Sequence, residues 1–597
     1  MLWPAAGLAA GFAVRLVGPD GAADVIWTLA TIPVLLALAV EIATSLRRGD
    51  VGLDIVAFIS MTAALAFGET LAAVVVALMY AGGQYLESFA ERRAGREMTA
   101  LLTRMPRTAL RKRGGEIEEV ALEAITPGDR LLVRTGDVLP VDGTVATGVA
   151  VLDQSALTGE SLPVRHEGGQ AVVSGVTNVG DAFELTASQP AAASTYASII
   201  RLVEAAQRTK APMARLADRY AIAFLAATLA LAGGAWVWSG DPIRALSVLV
   251  IATPCPLILA VPVAIVSGMS RAARCNVLVK GGQALEALAG VRTLVLDKTG
   301  TITLGAARLV ATHLRGNLGK DEILRIAASL DQASAHVIAG ALVTEARQRG
   351  LALTSPSEVV EMPGLGVEGT VDGHKVAVGG PDFVRRRLRG DVAWTEPSLP
   401  AGALAVAVAI DRDLAGLLVF ADPVRAETAV LLDGLKKHGI GRVILATGDR
   451  RDVADAIVHG LPFDAIRTDL SPDEKIDVVR GERARDRVMM VGDGVNDAPA
   501  LAAADVGVAM GARGATAAAE AADVVLLADR LDPLLPAVMI AQETKRIALQ
   551  SVWAGMGLSM VGMGAAALGY LTPVQGALIQ EGIDVAVVLN ALRALRD

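Results

Sequence analysis

Three short stretches of this chain set carboxylates where a phosphoryl group could be handled. Asp297-Lys-Thr-Gly-Thr301 follows an apolar run, Thr293 to Leu296, that reads as a strand. A carboxylate at the carboxyl end of a strand, followed by a glycine-containing turn, can present its oxygen to phosphorus, and Asp is one of the residues that forms a covalent phosphoryl intermediate. Gly492-Asp-Gly-Val-Asn-Asp497 follows a second such run, Arg487 to Val491, and carries the ligand type that Mg²⁺ takes beside substrate phosphates. Thr447-Gly-Asp449 closes a third strand, Arg442 to Leu445, where a hydroxyl and a backbone amide could hold the transferred phosphate. Lys475, in Ser471-Pro-Asp-Glu-Lys475, offers a mobile positive charge to phosphoryl oxygens. Any one of these turns could be a solvated loop, because Asp and Gly are common in turns. Three of them with complementary chemistry point to phosphoryl transfer through Asp297. No Gly-x-x-x-x-Gly-Lys-Ser/Thr occurs, so a P-loop engine is excluded.

The elements that must position these turns divide between lipid and water. Hydrophobic residues make up 53% of the 597, yet 20% are charged, and the mean hydropathy is +0.48. That mixture predicts membrane helices joined to substantial water-soluble domains. Eight apolar stretches read as spans: Leu2 to Leu16, Val25 to Leu46, Leu53 to Phe67, Leu71 to Leu86, Ala221 to Trp238, Ala245 to Met269, Ile547 to Leu568 and Val574 to Leu592. Arg47 and Arg48 follow the second span, and Arg92, Arg93 and Arg96 follow the fourth, which places both large inserts in the cytoplasm. Arg15, near the outer end of the first span, is the one charge out of place. The first insert alternates short β-rich runs with Gly and Pro, as a small β domain does. The second has continuous apolar strands between helical patterns, the signature of a parallel α/β sheet, with a further domain inserted at about 306–420. A net charge of -8 without a basic stripe gives no support to nucleic-acid binding, and two cysteines exclude a disulfide framework. No secretory signal is expected.

Polar groups inside two spans suggest an ion path. Thr253-Pro-Cys-Pro256 interrupts the sixth span, since two prolines remove helix donors and clash with preceding carbonyls. Open backbone at membrane depth is tolerated where it lines a cavity, and Cys255 offers a thiolate there. The eighth span carries Gln580, Glu581 and Asp584 on adjoining parts of one helical face; carboxylates in lipid are costly and should face the bundle interior. Cys275 reads as structural, Asn590 and Arg593 as helix anchors. Met556, Met560 and Met563 read as packing, with ligation the alternative.

In these motifs and their order the chain resembles the P-type ATPases, and specifically their heavy-metal-transporting (type IB) branch, over nearly its whole length. The resemblance implies ATP and Mg²⁺ as cofactors and an aspartyl phosphate on Asp297. Lys298 and Thr299 would act beside it, Asp297, Thr299 and Asp493 would hold Mg²⁺, and Asp493 and Asp497 would form the phosphorylation hinge. Thr158-Gly-Glu-Ser161 looks like the loop that hydrolyses the phosphoenzyme, with Glu160 positioning or deprotonating the water. The implied order is spans one to four in 1–93, an actuator domain in 94–216, spans five and six in 217–271, a haloacid-dehalogenase-like phosphorylation domain in 272–305 and 421–544, an α+β nucleotide-binding domain in 306–420, and spans seven and eight in 545–597. Members usually carry Ser-Glu-His-Pro and Gly-x-Gly in the nucleotide-binding domain; here stand Ser334-Ala-His336-Val337 and Gly364-Leu-Gly366, which makes His336, Gly364 and Gly366 the nucleotide contacts.

Copper pumps of the family usually carry two cysteines at the helix break, and Thr253 occupies the place of the first. One thiolate with Gln580, Glu581 and Asp584 suits a borderline divalent ion. The Thr-Pro-Cys form with Gln-Glu-x-x-Asp is similar to the subgroup linked to nickel and iron(II); cobalt, zinc, cadmium and manganese follow. Neither end shows a Cys-x-x-Cys or His-rich stretch, so delivery is expected to be direct or through a separate donor. The competing readings are a membrane-anchored phosphatase of the haloacid dehalogenase type, a P-type pump for an alkali-metal or calcium ion, and a metal sensor. The first leaves the intramembrane polar groups without a purpose, the second does not explain Cys255, and the third leaves Asp297 and Lys475 idle.

Overall fold

A computed structural model of the chain describes residues 2–17, 19, 21–47, 54–94, 106, 108–114, 116–154, 163–197, 200–201, 212–252, 255–305, 307–315, 318–334, 337–362, 365–389, 402–493, 497–511 and 516–596. They fall into two units, Met1–Gly290 with Gly511–Asp597, and Val291–Met510.

In the first unit the apolar stretches are helices: Leu2–Val17, Ala22–Arg47, Asp54–Ala66, Thr70–Ala94, Pro212–Ser239, Pro242–Ile251, Cys255–Arg274, Leu534–Ala567 and Pro573–Ala591. Among the described residues, two contain windows long and apolar enough to cross a membrane, Ala22–Thr44 and Leu534–Ala567. The stretch read as a sixth span is two helices. The first ends at Ile251 and the second starts at Cys255, as two prolines in Thr253-Pro-Cys-Pro256 require. The helix of the seventh span starts at Leu534, well before Ile547 where the apolar stretch begins. Its extra turns bury Leu534, Ala537, Val538, Ile540, Ala541 and Thr544 along one face while keeping charge on the other, a pattern a hydropathy window does not see. Gly268 permits a close crossing there, since a Cβ on it would lie 2.3 Å from Thr544 Oγ1. Arg271 donates to Glu543 across the same two helices at 2.7 Å. Arg15 also finds its explanation: its guanidinium carbon lies 5.7 Å from the centre of the Trp27 ring, a cation held by an aromatic face.

The insert after the fourth helix is β-rich. Thr108–Arg113, Glu116–Ala121, Arg130–Val133, Gly143–Thr147, Ala171–Val172 and Phe183–Ala187 form one antiparallel sheet, and Ala150–Asp153, Val164–His166 and Thr177–Asn178 form another. Leu152 pairs with Val164 in antiparallel register. Thr158-Gly-Glu-Ser161, with Glu160, falls between these two strands in the sequence and lies outside the described residues.

The second unit is built on a parallel sheet in the order Val506–Met510, Val488–Gly492, Thr293–Asp297, Arg442–Ala446, Ala465–Arg467. Its three central strands are fully buried apart from minor exposure at Arg442, which explains their near-continuous apolar character. An inserted domain between Thr303 and Val424 carries an antiparallel sheet ordered Arg308–Leu314, Asp413–Ala421, Leu404–Ile410, His374–Gly379, Gly366–Val371, Ser357–Met362. Helices Lys320–Asp331 and Val337–Gln348 cover one face of it through Leu324, Leu330, Leu342, Val367, Val378 and Val408.

Candidate active site

Strand register brings the three acidic turns together. Asp297 pairs with Ala446 and Leu296 with Val491, so Asp297, Thr447 and Gly492 emerge side by side at one end of the parallel sheet. The helix Pro472–Arg483 starts with Pro472 in its first turn and a reciprocal cap between Ser471 and Glu474, which sets Lys475 in that turn. Its Nζ donates to Asp297 Oδ1 at 2.6 Å and to Asp497 Oδ1 at 2.9 Å. Both carboxylates are almost wholly buried, 4% and 2% exposed. Burial pushes the Asp297 carboxyl up to about 6, with the Asp497 charge adding to the rise against the pull of Lys475. Burial draws the Lys475 ammonium down, but Asp297 and Asp497 together raise it above its ordinary value.

The other predicted residues surround this triad. Lys298 pairs with Asp449 at 2.5 Å, and Thr447 Oγ1 donates to Asp449 Oδ2 at 3.0 Å. Asp449 therefore holds Lys298, a role its sequence position did not suggest. Gly300, at φ 69°, lies directly against Asp493: a Cβ there would be 2.7 Å from Asp493 Oδ2. Thr299 is exposed in the same turn. Carboxylate oxygens of Asp297 and Asp493 with Thr299 are a hard, all-oxygen donor set, which fits Mg²⁺.

Arg425 was not foreseen. It is buried, and its Nε donates to the carbonyls of Thr301 at 2.8 Å and Thr303 at 3.2 Å, while Nη2 reaches Gly300 O at 3.3 Å. Its partners are backbone groups more than a hundred residues away, so no spacing could have revealed it. Asp331 was passed over as well. It ends the helix before Ser334 and is 5% exposed, and burial pushes its carboxyl up to about 7, helped by Glu361. Ser334 Oγ donates to Glu361 Oε1 at 2.7 Å.

His336 and Gly364 lie outside the described residues; Gly366 does not. Gly366 pairs with Gly379, and a Cβ on it would lie 2.5 Å from Val378 O and 2.6 Å from the Phe383 ring. Gly366→Ala is therefore expected to cost about 1–3 kcal/mol through overpacking. Thermal unfolding with and without ATP checks this: a lower midpoint and a smaller ATP-induced rise are expected, and an unchanged rise would remove Gly366 from the nucleotide contacts.

In the membrane helices, Gln580 is fully buried. It accepts from Ser559 Oγ at 3.0 Å, and its Nε2 donates to Asp584 Oδ1 at 2.8 Å. Glu581 is half-buried on the next part of the helix, where a Cβ on Gly82 would lie 3.9 Å from its Oε1. The side chain of Cys255 lies outside the described residues, although the helix starts at this residue. Cys275 is half-buried just past the end of that helix. Asn590 donates to Ser551 Oγ at 2.8 Å and accepts from Arg593, tying the last two helices. The methionines do not share one inward face: Met563 is buried and accepts from Thr228 Oγ1, whereas Met560 is 53% exposed.

A buried aspartate at the end of a parallel strand, with a lysine and a second acidic turn beside it, defines an aspartate-based phosphotransferase, here joined to a membrane helix bundle. Residues 291–505 match the haloacid dehalogenase-like hydrolase family, and residues 103–204 match the P-type ATPase actuator domain. A silver exporting P-type ATPase of Salmonella typhimurium is 35% identical over 545 residues, covering 87% of this chain and 66% of that protein. A copper-transporting P-type ATPase of Rhizobium leguminosarum bv. viciae is 35% identical over 95% of this chain and 69% of its own length. A zinc/cadmium/lead-transporting P-type ATPase of Escherichia coli (strain K12) is 34% identical, over 89% and 73%. This chain spans less than two thirds of the first of these and somewhat more of the other two. The crystal structure of a zinc-transporting PIB-type ATPase in the E2.Pi state matches 99% of this chain and 98% of its own, at 31% identity and a TM-score of 0.67. The chain belongs to the heavy-metal branch of the P-type ATPases. It is a membrane protein with its catalytic domains in the cytoplasm.

Proposed function

We propose that this chain exports a divalent transition-metal ion from the cytoplasm, nickel or iron(II) before cobalt, zinc, cadmium or manganese. The observation that carries the reading is the buried Ser559–Gln580–Asp584 chain in the membrane helices. An amide and a carboxylate, with the Cys255 thiolate as the one soft donor, suit a borderline divalent ion better than copper(I) or silver(I). Relatives that move copper, silver, or zinc with cadmium and lead support metal export as the class of activity. A membrane-anchored phosphatase would leave this intramembrane network without a purpose.

In the proposed cycle Asp297 attacks the γ-phosphorus of ATP, the bond to the leaving ADP oxygen breaks, and an aspartyl phosphate forms. Lys475 orients the Asp297 carboxylate and screens it from Asp497, then faces the incoming phosphoryl oxygens. Lys298, held by Asp449, adds a second cation at the same strand end. Mg²⁺, held by Asp297, Thr299 and Asp493, would neutralise phosphate charge. Glu160 would orient the water that releases phosphate. Asp331 and Gly366, with His336 and Gly364, would receive the nucleotide; a buried carboxyl pushed far above its ordinary range is a mark of a functional cleft.

Metal-dependent ATP hydrolysis by the protein in lipid, compared for Ni²⁺, Fe²⁺, Co²⁺, Zn²⁺, Cd²⁺ and Cu⁺, tests this. Stimulation by one or a few divalent ions is expected, with loss of about tenfold or more in Cys255→Ala and Asp584→Asn, as for removal of a first-sphere metal donor or its support. Turnover that ignores every metal and survives Cys255→Ala would overturn it.

A further inference from the structure

The inserted domain has a second cleft that the phosphorylation cycle leaves unused. Its sheet carries two long helices on one face. Among the described residues the other face is covered in part, by Pro381–Arg385 through Phe383 and Val384. Beside that short helix lies an open cleft of about 490 Å³, within the range of small-ligand sites. Small residues, Gly369, Ala377 and Ala409, line part of it, and four cations, Lys375, Arg386, Arg387 and Arg412, outnumber the two carboxylates of the lining, Glu358 and Glu368. Among the described residues the exposed cations Lys375, Arg386 and Arg412 have no carboxylate partner, whereas Arg387 is paired with Glu368 at 2.5 Å.

The cations sit on backbone that is stitched together. Asp411 N–H donates to Lys375 O at 2.7 Å, Lys375 N–H donates to Asp411 Oδ1 at 3.0 Å, and Arg389 N–H donates to Arg412 O at 2.9 Å. The backbone spacing of Lys375 and Arg412 is thus set by the fold.

Two neighbouring hairpins in this sheet sharpen the point. Val371 pairs with His374 across Asp372-Gly373, and Ile410 pairs with Asp413 across Asp411-Arg412. Both two-residue turns have positive φ at both positions: 51° and 83° in the first, 52° and 69° in the second. Such turns favour Asp-Gly, because glycine enters the left-handed region without strain. The first hairpin uses it. The second places an arginine in the glycine position, accepting backbone strain to set a cation on the cleft rim, and strain of this kind marks functional positions.

The cationic rim stands apart from the nucleotide contact Gly366, although the cleft lining itself reaches Glu368 and Ala377, two residues along the strands from Gly366 and Gly379. Gly366 pairs with Gly379 at one end of the strand pair, and the rim residue Lys375 pairs with Thr370 at the other. Four residue steps along the strand separate Gly366 from Thr370, roughly 13 Å.

We propose that this cleft is a regulatory site for a small phosphate-bearing anion, held by Lys375, Arg386 and Arg412. The shared chemistry is the phosphate group, borne by a soluble oligophosphate or by an anionic lipid headgroup. The probe for the first source is inorganic tripolyphosphate, titrated into the full-length protein with a non-hydrolysable ATP analogue saturating the catalytic site. One additional, salt-sensitive binding event is expected. It should weaken at least tenfold in Arg386→Ser/Arg412→Ser and also in Lys375→Ser, with ATP turnover at saturating metal intact.

Arg412→Gly separates ligand binding from folding: it should hold or raise the thermal midpoint by relieving the turn while still losing tripolyphosphate. For the second source, turnover is compared in neutral nanodiscs and in nanodiscs containing phosphatidylglycerol. A lipid effect that disappears in the double variant assigns the site to headgroups. The absence of both the extra tripolyphosphate event and a variant-sensitive lipid effect would overturn the proposal. Binding that persists unchanged in Arg412→Gly and in the double variant would overturn it equally.

Discussion

Lys475→Met and Asp297→Asn are expected to abolish phosphoenzyme formation alike and to move stability in opposite directions. Lys475 Nζ stands 2.6 Å from Asp297 Oδ1 and 2.9 Å from Asp497 Oδ1, with both carboxylates buried. Without the lysine, two like charges face each other out of water, and one of them must take up a proton. Asp297 already lies at about 6 with the lysine present. Removing that cation moves it further up, so that it is protonated at neutral pH and no longer a nucleophile. The loss of a charge aimed at the phosphoryl group is itself worth about 10²–10³ in rate. A drop of about 10³-fold or more in phosphoenzyme formation is the expected result. Stranding the buried carboxylates should also cost about 3–5 kcal/mol of stability.

Asp297→Asn removes the nucleophile and one of the two repelling charges, and leaves Lys475 with Asp497. The folded carboxyl of Asp297 lies above its unfolded value near 3.9, so the wild type loses stability as pH rises from about 4 through about 6. In Mg²⁺-free buffer the Asn variant should gain up to about 2–3 kcal/mol at pH 7, an advantage that fades as pH falls toward 4. Phosphorylation from labelled ATP and thermal unfolding across that pH range check both claims. Robust phosphoenzyme in Lys475→Met, or a destabilised Asp297→Asn at pH 7, would break the account.

Arg425→Ala is expected to lower phosphoenzyme formation by about tenfold to a hundredfold while leaving nucleotide affinity near normal, as for a mispositioned reacting group. Arg425 grips the turn that follows Asp297 through the carbonyls of Gly300, Thr301 and Thr303. Its own amide donates to Ile302 O at 2.8 Å, and Asp422 accepts from Gly305 N–H at 3.0 Å. The two strands that lead into and out of the inserted domain are fastened at this point. Hydrogen bonds from a charged group are worth about 1.5–3 kcal/mol each, and truncation strands buried carbonyls. A loss of about 3–5 kcal/mol in stability is therefore expected. Arg425→Lys should rescue little, because a single ammonium cannot reproduce the planar fork that reaches three carbonyls. Nucleotide binding measured beside phosphorylation separates this from a defect in ATP capture. Normal phosphorylation in Arg425→Ala would show that the turn holds its shape unaided.

The acidic turns were legible because phosphoryl transfer draws on few residue types, each placed at a strand end. Asp297, Lys475 and Asp497 could be named from local pattern, and they meet at one end of the parallel sheet. The membrane stretches were legible through hydropathy, and the break between Ile251 and Cys255 through two prolines. Gln580 and Asp584 were legible as polar groups too costly to leave in lipid.

What the chain's order alone did not determine is everything that depends on which distant groups meet. Arg425 pairs with carbonyls, which carry no sequence signature. Asp449 turned out to hold Lys298, and Ser559 to complete the Gln580–Asp584 chain, through contacts across elements. Met560 and Met563 share a spacing but not an environment, because helix rotation against Pro212–Ser239 decides which sulfur is buried. Gly366 reads as part of a Gly-x-Gly turn and nothing in the sequence singles out Arg412; close packing against Phe383 constrains the first, and a hairpin with two positive φ angles exposes the cost of the second. Residue types and short spacings settle the chemistry a chain can do, since that chemistry is local. Burial, partner and strain come only with tertiary structure, since they are properties of the groups a residue meets.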